Sequence, residues 1–226
     1  MKRQEEVKAM NYDKVFVEQV TKLVIESLQI FCEIRTEIPV GISAKHVHLS
    51  RKHVDILFGE GYQLTYLKPL SQPGQFAANE TVELIGPKGT FSKVRVLGPE
   101  RSHTQVEVAM SDARKLGVKP PVKTSGDIIG SVGITLRGPK GEVTIKEGVI
   151  IADRHIHMTP EEARQFNVID GQKVNLLVKG DKGGILHNVC IRVSPKYALD
   201  CHIDTDDASA FQIQQGQLVS ISRENK

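Results

Sequence analysis

Two short segments of the chain each carry a pair of histidines at a spacing that could bind a metal. They are Lys45-His46-Val47-His48-Leu49-Ser50 and Arg154-His155-Ile156-His157-Met158-Thr159. Residues two apart on a β-strand point to the same face, so each segment directs two imidazoles the same way. One His-X-His is weak evidence, but two copies in matching contexts indicate a duplicated zinc-type site.

A second pair of matching segments supplies a third candidate ligand to each histidine pair. Glu107 and His202 stand at equivalent positions, because an aspartate and an alanine follow each of them at the same distance, beginning at Asp112 and Asp207. Three protein ligands and an open position are typical of catalytic zinc, whereas structural zinc usually has four ligands. The two candidate sets are His46, His48 and Glu107, and His155, His157 and His202.

Cys201 is a candidate fourth ligand beside His202. Neighbouring residues on a strand face opposite ways, so we interpret Cys201 as core packing. The other cysteines are Cys32 and Cys190, and the chain has no Cys-X-X-Cys motif. This pattern argues against a disulfide framework and fits a reducing compartment.

Several cations lie near the candidate ligands in the sequence. Arg101 precedes Glu107 closely, and Arg95 and Lys68 fall on or beside strands of the first half. Any one of them alone is most simply a solvated cation. Together, beside a metal pair, they favour an anionic substrate, because arginine binds phosphate through two parallel hydrogen bonds.

Composition limits the function classes. The net charge of +3 over 226 residues is too small to indicate nucleic-acid binding, and the low aromatic content, with no tryptophan, disfavours a base-stacking surface. No apolar run is long enough to cross a membrane. The N-terminal sequence lacks the apolar region of a signal peptide. We therefore expect no nucleic-acid or membrane partner.

The N-terminal region predicts an amphipathic helix over residues 13–31. Its apolar positions recur at helical spacing. They are Phe16, Val20, Leu23, Val24, Leu28 and Phe31. Such a helix could pack on its own domain or dock another protein.

Short helices are predicted after both histidine pairs. Ser50 is a candidate N-cap for a helix over 51–58 that ends near Gly59 or Gly61. Thr159 and Glu162 form a capping-box pattern for a second helix that ends near Asp170-Gly171.

The rest of the chain predicts β-hairpins with glycine-rich turns in both halves, and further short strands from Ser125 to Leu136. The predicted fold is mainly β, with two similar small β-barrels and short capping helices that arise by internal duplication. The residue pattern alone would place one boundary near residues 118–125.

The motifs jointly resemble one family. They are His46-Val47-His48-Leu49-Ser50, Thr104-Gln105-Val106-Glu107, Asp153-Arg154-His155-Ile156-His157-Met158-Thr159-Pro160 and Cys201-His202-Ile203-Asp204-Thr205-Asp206-Asp207-Ala208. They resemble the PduL-type phosphotransacylases, the phosphate propanoyltransferases of bacterial microcompartments. The resemblance runs from about residue 37 to 222. It implies that acyl-CoA and phosphate interconvert with acyl phosphate and CoA.

The resemblance also implies two zinc ions, one at each candidate ligand set, and a fold of two barrels that are discontinuous in sequence. One barrel would combine 34–44 with 153–222 and the other would be 45–152, after an N-terminal tail and helix over 1–33. The family position of Arg101 implies phosphate binding and a catalytic role. The CoA-site positions implied are Ser43, Lys68, Arg95, Leu97, His202 and Ser209, where the family tends to have asparagine in place of Ser209.

The resemblance further implies a homodimer and either a microcompartment or a cytoplasmic location, with the N-terminal helix as a candidate shell contact. Two alternatives remain open from the residues themselves. One is a zinc-dependent thioester hydrolase, in which water takes the place of phosphate. The other is a non-catalytic binding module that zinc holds together. Cobalt accepts the same ligands as zinc, and the sequence identifies no acyl pocket.

Overall fold

The computed structural model describes residues 14–33 and 37–222. The chain divides into two compact units, with the boundary between Arg35 and Thr36. Within the described ranges the first unit contributes one helix, and the second contributes every strand. No helix in these ranges has both the length and the apolar character needed to cross a membrane.

The first unit contains α1 (Lys14–Glu33), which confirms the predicted amphipathic helix. The apolar side chains between Phe16 and Ile25 are exposed, and Leu23 is 63% exposed. The predicted tail before residue 14 and the side chains of Leu28 and Phe31 lie outside the described part of the chain. The shell-contact role of this helix stays a prediction.

The second unit consists of β-strands and four short helices within residues 37–222. The strands are β1 (Ile38–Ser43), β2 (His46–Ser50), β3 (Tyr66–Pro69), β4 (Phe76–Ile85), β5 (Thr90–Arg101), β6 (Gln105–Glu107), β7 (Val122–Lys123), β8 (Val132–Arg137), β9 (Glu142–Ala152), β10 (His155–Met158), β11 (Lys173–Val178), β12 (Gly184–Val193), β13 (Asp200–Asp204) and β14 (Leu218–Ile221). The helices are α2 (Arg51–Phe58), α3 (Met110–Leu116), α4 (Pro160–Phe166) and α5 (Thr205–Phe211).

One barrel closes through the strand order β1-β13-β10-β12-β11-β14, with β14 pairing back onto β1. Its core includes Ile156, Met158 and Ile191, which are completely buried. Alternation along β10 therefore turns His155 and His157 away from this core.

The other barrel repeats this arrangement with β4-β5-β2-β6-β9-β8, which closes because β8 pairs with both β9 and β4. β3 and β7 extend the same sheet as additional strands. Val47, Leu49 and Val106 are buried in its core, so His46 and His48 also point away from a barrel interior. The two barrels confirm the predicted fold class.

The strand that precedes each histidine pair belongs to the other barrel. β1 pairs in parallel with β13, and β9 pairs in parallel with β6, so β1 and β9 occupy equivalent places. Yet β1 leads directly into β2, and β9 leads into β10. The chain therefore crosses between barrels at residues 44–45 and 153–154, immediately before the first histidine of each pair. The domain boundaries implied by the resemblance stay a prediction.

Equivalent ion pairs hold the short helices beside the histidine strands. Lys45 Nζ lies 3.0 Å from Asp112 Oδ1, and Arg154 Nη2 lies 2.7 Å from Asp207 Oδ1. Each cation directly precedes its histidine pair, and each aspartate is in the first turn of α3 or α5. Carboxylates are favourable there because the N-terminus of a helix carries partial positive charge.

Side-chain caps begin the helices that follow the histidine pairs. Ser50 Oγ accepts a hydrogen bond from the His53 backbone N–H, so α2 begins as predicted. It ends at Phe58, with Gly59 as its C-cap. At α4, Thr159 Oγ1 accepts from the backbone N–H of Glu162 at 3.2 Å, and the Glu162 carboxylate accepts from the backbone N–H of Thr159 at 2.8 Å. The predicted capping box is confirmed.

Two sequence-based boundaries were wrong. α4 ends at Phe166, because the left-handed backbone of its C-cap Asn167 (φ 54°) stops the helix before the predicted Asp170-Gly171. Asparagine tolerates this conformation because its short polar side chain bonds locally. The strands predicted from Ser125 begin only at Val132, because Gly126 and Gly130 adopt positive φ angles of 102° and 71° in an intervening loop.

We expect Thr159→Ala to lower the free energy of unfolding by about 1 kcal/mol, because the Glu162 N–H loses its side-chain acceptor. Urea denaturation of the metal-saturated protein would measure the change. Thr159→Ser keeps the hydroxyl and should remain close to the wild type. Equal stability of the alanine variant and the wild type would contradict the cap's contribution.

Candidate functional site

Residues from both barrels line one cavity of about 820 Å³. The predicted site residues that line it are Ser43, His46, His48, Lys68, Arg95, Leu97, Arg101, Glu107, His155, His157 and His202. Ser209 is the exception, because it is exposed on α5 and is not among the lining residues. The structure thus brings together both candidate ligand sets and most of the predicted CoA-binding residues.

The first ligand set forms across the antiparallel pair β2 and β6. His46 lies opposite Glu107 in the register, and the candidate ligand atoms of His46, His48 and Glu107 lie within 4.8 Å of one another. His46 Nδ1 is 2.8 Å from the Ala44 carbonyl oxygen, and its Nε2 is 3.5 Å from Glu107 Oε2. A proton on Nδ1 would leave Nε2 free to bind a metal.

The second set repeats this geometry across β10 and β13. His155 lies opposite His202, and the ligand atoms of His155, His157 and His202 also lie within 4.8 Å of one another. His155 Nδ1 is 2.7 Å from the Asp153 carbonyl oxygen, which repeats the contact between His46 Nδ1 and the Ala44 carbonyl oxygen. The repeated register explains why Glu107 and His202 are equivalent in the sequence.

The buried nitrogens of these sets fit a metal ion. Within the described residues, Nδ1 of His48 and Nδ1 of His157 are buried and have no hydrogen-bond partner. A buried polar atom without a partner is costly, and a cation bound at each set would satisfy the unpartnered nitrogen of that set. The histidine-rich donor sets, with three ligands each, suit zinc or cobalt.

Burial also favours the neutral histidines that a metal requires. Burial is the main reason that the pKa of His155 is lowered to about 4, and His202 and Arg192 lower it further. Burial, with His155, His202 and Arg192, lowers the pKa of His157 to about 2. The pKa of His48 is lowered by burial first, then by His46 and Arg101. These imidazoles are therefore neutral at physiological pH.

Polar side chains orient the third ligand of the first set. Glu107 Oε1 accepts hydrogen bonds from Gln105 Nε2 at 2.6 Å and from Ser125 Oγ at 2.7 Å, while Oε2 faces His46. Burial alone would raise the pKa of Glu107. The pKa is nevertheless lowered to about 2 by electrostatic interactions with His46, His48 and Arg101 and by the hydrogen bond from Ser125. The carboxylate is therefore ionised and presents one oxygen to the ligand set.

Asp200 orients the third ligand of the second set. Its Oδ2 lies 2.9 Å from His202 Nε2, and Ser71 Oγ lies 3.2 Å from the same nitrogen. A proton on Nε2 would leave Nδ1 of His202 for a metal, as in carboxylate–histidine–metal arrangements. Asp200 and Gln105 are equivalent, because they lie opposite His157 and His48 in the two registers.

A glycine provides the space for the Asp200–His202 contact. A Cβ on Gly41 would lie 2.7 Å from Asp200 Oδ2 and 3.1 Å from His202 Cδ2. Gly41 in β1 pairs with His202 in β13. At the equivalent place in the other barrel, Ile150 in β9 pairs with Glu107 in β6. The second set therefore depends on a residue without a side chain on the adjacent strand.

The sequence interpretation missed several residues of this site. Gln105 and Asp200 are two residues before a predicted ligand, and strand alternation would have placed them on the same face. Ser125 sits in a loop, and Arg192 and Tyr197 come from distant positions, so only the fold brings them to the cavity.

The predicted substrate residues differ in their surroundings. Arg95 Nη1 donates to the Ala78 and Asn79 carbonyls at 2.9 and 2.8 Å. Arg101 Nη1 lies 3.4 Å from Ser125 Oγ. The pKa of Arg101 is lowered, mainly by burial. Glu107 opposes this shift and Arg192 adds to it. The substrate roles of these residues stay predictions.

Cys201 is completely buried in the core of the barrel that contains β13, as expected from the alternation of side chains along a strand. Burial is the main reason that the pKa of its thiol is raised. It packs in the core and does not line the cavity with its neighbour His202.

Comparison with known proteins identifies the family. The family model described as phosphate propanoyltransferase matches residues 39–214. The chain belongs to the phosphate propanoyltransferase family. It is 50% identical to a phosphate propanoyltransferase of Rhodobacter capsulatus over 186 residues, which cover 82% of this chain and 86% of that protein.

Two further relatives extend this similarity. A phosphate propanoyltransferase of Thermotoga maritima is 52% identical over 183 residues, which cover 80% of this chain and 87% of the relative. One from Priestia megaterium is 50% identical over 210 residues, which cover 93% of this chain and 97% of the relative. The matched family region includes both ligand sets and Arg101.

We expect Gly41→Ala to weaken metal binding at the three-histidine set by about 10- to 100-fold, because the new Cβ would displace Asp200 from His202. Competition with a chromophoric chelator would measure the affinity of each site, starting from protein with two equivalents of zinc.

The glutamate-containing set should keep its affinity in this variant and serves as an internal control. Asp200→Asn, which removes the carboxylate charge, should weaken the same site. Unchanged affinity of both sites in Gly41→Ala would contradict this account of the Asp200–His202 contact.

Proposed function

We propose that the protein is a zinc-dependent phosphate acyltransferase that interconverts acyl-CoA and phosphate with acyl phosphate and CoA. Propanoyl-CoA and acetyl-CoA are the proposed acyl donors. One observation carries the proposal: two three-residue ligand sets and Arg101 line a single cavity. Family membership supports the same reaction.

The reaction joins a phosphate oxygen to the thioester carbonyl carbon, and the carbon–sulfur bond then breaks to release CoA thiolate. When bound, zinc would supply Lewis acidity toward carbonyl and phosphate oxygens and a soft partner for the thiolate. Arg101 would bind phosphate oxygens through its guanidinium and orient one of them toward the carbonyl. The metals would be held by His46, His48 and Glu107 and by His155, His157 and His202.

The chain need not provide a general base for this step. Phosphate is already ionised at neutral pH and can attack without losing a further proton. The hydrogen bonds on Glu107 and His202 hold ligands in place, which is the role of outer partners in metal sites. Arg101 is therefore the proposed catalytic side chain among those that do not bind metal.

The proposed CoA site combines Ser43, Lys68, Arg95, Leu97 and His202, all of which line the cavity. Lys68 and Arg95 would contact phosphate groups of CoA, and Leu97 would contact an apolar part of it. Ser209 remains in the proposal from its family position. We also propose that residues 34–44 with 153–222 and residues 45–152 form separate domains, and that the protein is a homodimer.

The activity test is thiol release from propanoyl-CoA by the zinc-loaded protein, with and without phosphate. We expect release to require phosphate and ³¹P NMR to show an acyl phosphate product. Release without phosphate would instead establish a thioester hydrolase. Absence of release from metal-loaded protein would favour a binding module.

The Arg101→Ala variant extends this test to the catalytic residue. Loss of a charge-assisted contact to phosphate should raise the KM for phosphate by about 10- to 100-fold, while the KM for propanoyl-CoA changes little. Arg137→Ala is a matched control, since Arg137 pairs with Glu83 and Glu142 outside the cavity lining. Unchanged phosphate kinetics in Arg101→Ala would contradict its role.

We further propose that α1 targets the enzyme to a bacterial microcompartment through its exposed apolar residues, with a cytoplasmic enzyme as the alternative. Leu23 and Val24 are 63% and 50% exposed. We expect the double variant Leu23→Glu and Val24→Glu in the full chain to lose co-purification with shells and to keep its specific activity. Glu18→Gln is the control on the polar side of the helix. Retained co-purification of the double variant would exclude this contact.

A further inference from the structure

Arg192 occupies a position that breaks the similarity between the two barrels. It lies opposite His157 in the parallel pair β10 and β12, and it is half-buried at the cavity wall. The equivalent position in the other barrel, opposite His48 in β2 and β5, is Leu97. The duplicated fold therefore places a cation beside the three-histidine set and an apolar residue beside the glutamate-containing set.

No carboxylate pairs with Arg192 within residues 14–33 and 37–222. This distinguishes it from Arg154, which binds Asp207 through both Nε and Nη2 at 2.7 Å. A half-buried cation without a counterion loses hydration and gains no ion pair in return. Its charge is therefore available to an anion that enters the cavity.

The electrostatic neighbours of Arg192 are grouped around the metal-ligand sets. Arg192 lowers the pKa values of His155 and His157, although burial is the larger cause for each. It also lowers the pKa of Arg101, for which burial is again the larger cause. Two arginines that repel each other across one cavity are stabilised together by an anion with more than one negative charge.

Phosphate and acyl phosphate have this charge, and guanidinium groups match the geometry of their oxygens. We propose that Arg192 is a second phosphoryl-binding residue, which holds the phosphate group from the three-histidine side while Arg101 holds it from the glutamate side. This inference rests on the proposed function. Arg192 contacts the substrate and helps to fix its orientation, while the bonds that form and break are those of the acyl transfer itself.

The decisive variant is Arg192→Leu, which installs the residue found at the equivalent position of the other barrel. We expect the KM values for phosphate and for acyl phosphate, measured in the two reaction directions, to rise by about 10- to 100-fold. The KM values for propanoyl-CoA and CoA should stay within about twofold of the wild-type values, and two metal equivalents should remain bound.

Arg192→Lys keeps the charge but loses the two-pronged contact, so we expect a smaller rise of about three- to fivefold in the KM for phosphate. If Arg192→Leu loses metal, the KM of Arg192→Lys for phosphate tests the proposal in its place. Lys196→Ala is the matched control, because Lys196 is an exposed cation shortly after β12 that does not line the cavity. Its kinetics should match those of the wild type.

An unchanged KM for phosphate in a metal-loaded Arg192 variant would overturn the proposal. A rise confined to CoA and propanoyl-CoA would also overturn it, because Arg192 would then bind a phosphate of CoA. Phosphate titration by calorimetry, with zinc-loaded protein, separates this test from the activity. If the wild type shows no phosphate-dependent turnover, the proposed function fails, while weaker phosphate binding by Arg192→Leu would still establish the binding role.

Discussion

The site depends on one constraint, which is the register between each histidine strand and its antiparallel neighbour. In both barrels the first histidine lies opposite the third ligand: His46 opposite Glu107, and His155 opposite His202. A slip by one residue would turn the histidines into the barrel cores and expose Val47 and Ile156. The buried apolar residues therefore stabilise the candidate ligand geometry against a one-residue slip, because that slip would remove them from the core.

The exchange of strands between barrels adds a second constraint. The barrel that carries the three-histidine set contains β1 but not β2, and the barrel that carries the glutamate-containing set contains β9 but not β10. Yet β1 and β2 are consecutive in the chain, as are β9 and β10. Both crossings end at a cationic residue, Lys45 or Arg154, whose side chain forms an ion pair with an aspartate of a short helix. The carbonyl oxygens of Ala44 and Asp153, which orient the first histidines, belong to these same crossings. Barrel association and ligand orientation thus depend on the same short segments.

The duplication preserved the geometry and changed the chemistry. The first set includes a carboxylate, which Gln105 and Ser125 orient, whereas the second set has only histidines, with Asp200 behind them. The imidazole of His202 and the Asp200 carboxylate need the space that Gly41 leaves open. A site made of two unlike halves can bind two unlike substrates, which suits a reaction between a thioester and phosphate.

The sequence alone determined the features that repeat along the chain. Strand alternation paired the histidines, the matched spacing to Asp112 and Asp207 identified Glu107 and His202, and the capping residues placed the starts of α2 and α4. These features are local, so spacing and residue type are enough to predict them. The positions of Lys68, Arg95 and Arg101 near the candidate ligands favoured an anionic substrate, and family resemblance supplied the individual roles proposed for them, which local patterns could not indicate.

Only the tertiary structure decided which distant residues meet at the cavity. Barrel closure brings the Ser125 loop to Glu107 and places Arg192 and Tyr197 beside the three-histidine set. The parallel pairing of β1 with β13 puts Gly41 beside His202, although far-separated parts of the chain supply these residues. Such contacts follow from strand order and barrel closure, which depend on burial of the whole core, and no local spacing in the sequence encodes them.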